Sequence, residues 1–183
     1  MKCGEPIVEN VGRIPYPKTN TIVNDFATFG DRKALLGAQT TRLNITTIRE
    51  VYDSYIKFTG ENPTASKTFI AYDLYSEKKF SSVPSNSTAF HARKPYYNSA
   101  IIQRWTNEQD DKIIYDWAKS LQKIFSKDGY DINPLYINFE STSDRKHYSE
   151  VKRLFGDNFE RLKELKRKYD PNVLFRKGVV IWP

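Results

Sequence analysis

The sequence predicts an α+β fold: an antiparallel β-sheet flanked by amphipathic helices, followed by a C-terminal helical segment. Two observations predict it. Apolar residues recur at three- and four-residue spacing in two long stretches, and between those stretches they alternate with period two. Helical and extended periods therefore interleave, and two long helices are expected to cover one face of the sheet.

Composition sets the limits. At 183 residues, with 39% hydrophobic and 14% aromatic side chains, the chain can bury a core and is long enough for one domain, or for the larger part of a two-lobed unit. A single cysteine, Cys3, excludes an internal disulfide framework and a multi-cysteine metal site; no metal site is expected. The 29 Lys and Arg outnumber 22 Asp and Glu, giving net charge +7, and many of the cations lie between Lys146 and Lys177. Such a cluster serves either as a phosphate-binding stripe or as the solvated face of an amphipathic helix.

Residues 1–30 carry Pro6, Pro15, Pro17 and Gly4, Gly12, Gly30 without a sustained period, so they read as an irregular arm. Thr47 and Glu50 have capping-box spacing and open a helix whose apolar positions are Ile48, Val51, Tyr52, Tyr55 and Ile56, ended by Gly60. Lys67 to Tyr75 alternates as a strand with both faces partly apolar, which predicts a central position in the sheet. Ser76 to Lys94 is polar and turn-rich around Pro84, and a second strand runs from Tyr96 to Trp105.

Thr106 and Gln109 cap a second helix with the stripe Ile113, Ile114, Trp117, Leu121, Ile124 and Phe125, stopped at Gly129. Residues 31–134 thus form an α+β region. Asn133-Pro134 precedes a predicted strand, Leu135 to Phe139, in which Tyr136 and Asn138 share one face. After a turn over Glu140 to Asp144, Tyr148, Val151, Leu154 and Phe155 predict a short helix ended by Gly156. A basic helix begins at Asp157 with core face Phe159, Leu162, Leu165 and Tyr169, and Asp170-Pro171 terminates it.

Several stretches carry a resemblance. Tyr136-Ile137-Asn138 matches a Y-x-N pattern, Phe155-Gly156-Asp157-Asn158-Phe159-Glu160-Arg161-Leu162 matches F-G-x-N-x-x-R-L, and Leu165 to Asp170-Pro171 with Phe175 matches L-K-x-x-Y-D-P-x-x-x-F. From Arg13 onward the chain resembles the C-terminal portion of the berberine-bridge-type FAD-linked oxidases of the vanillyl-alcohol oxidase superfamily. Val83-Pro84-Ser85 through Arg93 looks like the loop that in the family ends in His-Arg, and Trp105 looks like its usual tryptophan. On this resemblance, 31–134 is similar to the substrate-binding lobe and 135–183 to the berberine-like closing segment. The chain would begin inside the substrate lobe and lack the FAD-binding lobe; no Gly-rich phosphate loop occurs in it.

The resemblance implies FAD as cofactor and a small-molecule alcohol, sugar or amine as substrate, with no nucleic-acid or membrane partner. It implies Tyr136 as the base that takes a hydroxyl proton, Asn138 as the residue against the isoalloxazine ring, and Lys79 as the cation beside the tyrosine. Two positions depart from the pattern: Ala92 stands before Arg93, with His91 displaced by one, and Ala100 occupies the place of a frequent glutamine. The expected function is the C-terminal part of an FAD-dependent oxidoreductase, inactive as an isolated chain. The alternatives are a non-catalytic remnant of such an oxidase and a basic nucleic-acid-binding module using Lys152 to Lys168. The first residues lack a signal-peptide pattern, while the family is often secreted, so the compartment stays open. If a cofactor lobe normally covers the Tyr136 and Asn138 face, the isolated chain is expected to expose an apolar patch there and to be prone to association, so it is a monomer or self-associating.

Overall fold

The computed structural model describes residues 12–22, 24, 28–128, 136–139 and 148–183. Cys3, Gly129, Asn133-Pro134, Leu135 and the turn Glu140 to Asp144 lie outside the described residues. The chain divides into two compact units, Met1–Gly30 and Asp31–Pro183. In the first, one 3₁₀ helix, Tyr16–Thr21, starts beside Pro15 with Pro17 at its second position. Everything below concerns the second unit.

Three strands form an antiparallel sheet in the order β1 (Arg32–Thr40), β3 (Tyr97–Trp105), β2 (Phe69–Asp73). The register places Gly37 and Ala71 on either side of Ala100, and Gln39 and Asp73 on either side of Asn98. Two expectations are corrected. Phe69–Asp73 is an edge strand and the second predicted strand occupies the centre: β3 pairs with β1 along all nine of its residues and with β2 over Asn98 to Ile102. The other edge, β1, was not anticipated at all. Its Ala34-Leu35-Leu36-Gly37-Ala38 run gives no alternation of apolar and polar, because small residues on both faces hide the period.

Helices α1 (Ile45–Glu61) and α3 (Asp111–Ser126) cover one face, as expected. Between them and the sheet lies the core of Leu36, Ile101, Trp105, Val51, Phe58, Ile114, Leu121 and Phe125, all buried. Phe58 stacks on Trp117 with ring centroids 4.2 Å apart, and the Trp117 indole donates to Ser54 Oγ at 3.1 Å, so a large apolar surface is buried without an orphaned N–H. At the far end the Trp105 indole donates to Asp111, which also accepts two bonds from the Arg32 guanidinium. That pairing holds the Asp111 carboxyl below the usual carboxylate range.

Helix starts are displaced from the capping boxes. Asn44, not Thr47, caps α1, accepting from the Thr46 N–H at 3.0 Å. Thr47 is buried within the first turn, and the Asn44 amide also donates to the carboxylate of Asp128, itself buried, at 2.8 Å. Asn caps as well as Thr, so a cap three residues earlier gains a turn of helix. Before α3, Glu108–Asp110 forms a 3₁₀ turn instead of a Thr106-capped start, and Ile113 is exposed while Ala118 and Gln122 complete the buried stripe. On α1, Tyr52 and Ile56 are likewise half exposed.

The predicted strand over Tyr136 to Phe139 is also corrected. Ile137–Phe139 is a single 3₁₀ turn, closed by the Phe139 N–H on the Tyr136 carbonyl at 3.0 Å. A five-residue alternation is too short to distinguish a strand from a turn. The short helices are α2 (Lys78–Ser81), α4 (Tyr148–Phe155) and α5 (Phe159–Tyr169), with a 3₁₀ turn at Gly156–Asn158 joining the last two. On α5 Phe159 is buried, but Leu165 and Tyr169 are exposed, so the expected core face is only partly covered.

Candidate functional site

The face of the sheet opposite α1 and α3 carries the site. On β3, Ile101 and Trp105 point into the core, so alternation turns Asn98, Ala100, Ile102 and Arg104 the other way. Asn98 is the pivot of a hydrogen-bond chain across the sheet. Gln39 Nε2 donates to Asn98 Oδ1 at 3.0 Å, and Asn98 Nδ2 donates to Tyr75 Oη at 3.2 Å. Both Gln39 and Asn98 are buried, and the chain leaves neither amide unsatisfied.

Tyr75 and Asn98 open onto a cavity of about 330 Å³, together with Asp73, Phe80 and Tyr96. Phe90, Tyr136 and Phe139 complete its wall. Phe80 packs edge-on against Tyr75 at 5.8 Å and tilted against Tyr96 at 5.3 Å, while Tyr136 and Phe139 meet at 4.8 Å. Burial raises the Tyr75 phenol above its usual range, partly offset by a bond to Tyr96 and reinforced by the Asp73 carboxylate. A second cavity, about 240 Å³ between α1 and β2, is lined by aliphatic and aromatic residues including Ile48, Tyr55 and Tyr72, with no charged group among the described residues.

Of the residues singled out in the sequence, Tyr136 lines this cavity and Asn138 stands beside it. The Asn138 amide donates to Tyr136 Oη at 3.1 Å, a pairing made by the 3₁₀ turn and not by strand alternation. Lys79 lies exposed on α2 and is not among the residues lining the cavity; its neighbour Phe80 is. Ala100 is buried between Gly37 and Ala71, so three small residues cross the sheet next to the polar row of Gln39, Asn98 and Asp73.

The remaining motif residues hold the wall in place. Asn158 Nδ2 donates to the carbonyls of Ser85 and Thr88 at 2.7 and 3.1 Å, and Arg161 donates to that of Asn86. Gly156 lies against the ring of His91, and Asp170 receives the N–H groups of Leu174 and Phe175 and the ammonium of Lys166. Two motifs more than sixty residues apart are thus one packed unit, with the loop of Phe90 pinned onto the turn before α5. Asn98, Asp73 and Gln39 were missed in the sequence. A polar residue at the second position of β3 was the available signal.

Residues 135–178 match the family described as berberine and berberine like. The chain is similar to the C-terminal region of a berberine-type FAD-linked oxidoreductase. It is 28% identical over 153 residues to an FAD-linked oxidoreductase, iacH, of Pestalotiopsis fici, covering 82% of this chain and 30% of that one. Among solved structures, a glycopeptide hexose oxidase complexed with teicoplanin shares the fold with TM-score 0.63 and 18% identity, over 84% of this chain and 33% of the other. Berberine bridge enzyme from Eschscholzia californica does so with TM-score 0.61 and 20% identity, over 90% and 36%. The chain therefore spans about a third of the length of these proteins.

The described residues offer a flavin one polar edge, the Asn138 amide and the Tyr136 hydroxyl. Among them, no Gly-rich turn is open to a pyrophosphate: Gly156, at the start of the turn before α5, is filled by His91. The donor and acceptor groups of that edge suit the polar rim of a ring in chemical type. No described helix is long and apolar enough to cross a membrane.

Proposed function

We propose that this chain forms the substrate side of an FAD-dependent oxidoreductase acting on a small alcohol, sugar or amine. The observation that carries the reading is Tyr136, whose hydroxyl is held by Asn138 at the wall of an aromatic cavity on the face of the sheet opposite α1 and α3. When bound, FAD supplies the hydride acceptor. Tyr136 takes the proton of a substrate hydroxyl at Oη, with Asn138 fixing the orientation of that oxygen. The aromatic walls exclude water and orient the substrate. Asn138, exposed beside the cavity, would meet the ring edge, and Lys79 would act only as a more distant cation, from its exposed place on α2.

The chain alone holds too little of a dinucleotide to turn over, so the isolated protein should be inactive. Titration of the purified chain with FAD tests the reading. Weak quenching of flavin fluorescence that is lost in Asn138→Ala supports it. A folded chain that leaves flavin fluorescence unchanged at every concentration overturns it.

A further inference from the structure

The charge of the aromatic cavity runs against the charge of the chain. Among the described residues, six aromatic side chains, one amide and one carboxylate line it, and no Lys or Arg does, in a protein of net charge +7. Asn98 is already committed to Gln39 and Tyr75. Asp73 is half buried and makes no ion pair or side-chain hydrogen bond among the described residues. Arg93 lies over the Phe90 ring at 5.0 Å, but its Nη2 is held by Thr88 Oγ1 and it does not line the cavity.

A neutral ligand filling this space would strip water from the Asp73 carboxylate and return no donor, which is costly. An anion would add repulsion. A protonated amine brings both a compensating charge and N–H donors, and the faces of the surrounding rings favour a cation over a neutral group. We propose that the cavity recognises a cationic ligand, a protonated amine on an aromatic or alicyclic framework, with Asp73 as its anchor. This rests on reading the cavity as the substrate side of an oxidoreductase, and it narrows the substrate class. The ammonium is the handle by which the molecule is held, not the reacting group.

Calorimetric titration of the full chain at pH 7 with three matched probes decides it: phenethylamine, 2-phenylethanol and 3-phenylpropionate. The amine should bind about tenfold or more tightly than the alcohol, the range of a charge-assisted hydrogen bond, and the carboxylate should bind weakest. Asp73→Asn should bring the amine and the alcohol together, and Asp73→Glu should keep them apart. Asp73→Ser, checked by circular dichroism alongside Asp73→Asn, guards against a folding defect. Equal affinities, a preference that survives in Asp73→Asn, or no binding of any probe overturns the proposal. The flavin titration stands apart from it. Amine preference without flavin quenching removes the flavin reading, and quenching without amine preference removes this one.

Discussion

Gly156 and His91 are fitted to each other: a Cβ on Gly156 would stand 2.5 Å from His91 Cδ2 and 2.9 Å from Nε2. Gly156 also has φ +51°, where a side chain is strained irrespective of space. Gly156→Ala should therefore cost about 1–3 kcal/mol of stability, from backbone strain plus displacement of the ring. Urea unfolding at fixed pH measures it. An unchanged midpoint would show that the ring moves aside freely.

The same contact makes stability pH-dependent. Burial holds the His91 imidazole below its ordinary value, with the Asp157 charge and a bond to the Leu154 backbone opposing in part. The unfolded chain then binds the proton more readily than the folded one. Stability is fully present above the ordinary histidine value near 6.5 and falls as pH drops from there towards the folded value. Thermal melts between pH 7.5 and 5 should decline for the wild type and flatten in His91→Asn. The carboxylates lowered by ion pairing, such as Asp170 beside Lys166, lose stability only at lower pH, so the two windows separate.

How much of this was legible in the sequence depends on where the information lies. The helices α1 and α3 and the strand β3 were readable because each repeats its period for nine residues or more, and burial then follows the stripe. Strand β1 was not, since Gly37 and Ala38 carry too little apolar contrast to mark a face. Tyr136 and Asn138 were found as a pair, but their meeting depends on a 3₁₀ turn that a five-residue alternation mimics. Asp73 and Asn98 lie twenty-five residues apart and become neighbours only through strand register, which no local pattern encodes.

Gln103 is a buried defect of the core. It sits on the face of Ile101 and Trp105, opposite Ala34, with no exposed surface, and neither its amide nitrogen nor its oxygen has a partner among the described residues. An unsatisfied buried amide costs about 1–3 kcal/mol, and a leucine of similar volume removes that cost. Gln103→Leu should raise the denaturation midpoint, whereas Leu121→Ala, deleting a fully buried side chain of α3, should lower stability by about 2–5 kcal/mol. A Gln103→Leu variant less stable than wild type would imply that the amide is bonded.

Asn158 controls the loop that delivers Phe90 to the cavity. Its buried amide holds the Ser85 and Thr88 carbonyls, so Asn158→Ala should free the loop while leaving the sheet and α3 intact. The expected loss is about 1–3 kcal/mol, with faster proteolytic cleavage between Ser82 and Phe90 and weaker ligand binding in the cavity. Limited proteolysis followed by mass mapping checks the location. Cleavage that stays at wild-type rate would mean that Arg161 on Asn86 suffices to hold the loop.

The closing segment leaves large apolar side chains in solvent. Tyr169 is 71% exposed, Leu174 78% and Phe175 82%, even though the backbone of the last two is fixed by Asp170. The segment is thus rigid where it is apolar, which lowers the entropy lost when that surface is covered. Exposed apolar side chains of this size favour association. Sedimentation velocity should show concentration-dependent self-association of the isolated chain, reduced in the double variant Leu174→Ser and Phe175→Ser, whose backbone bonds to Asp170 remain. A monodisperse monomer across the concentration series would show that this surface is inert in the isolated chain.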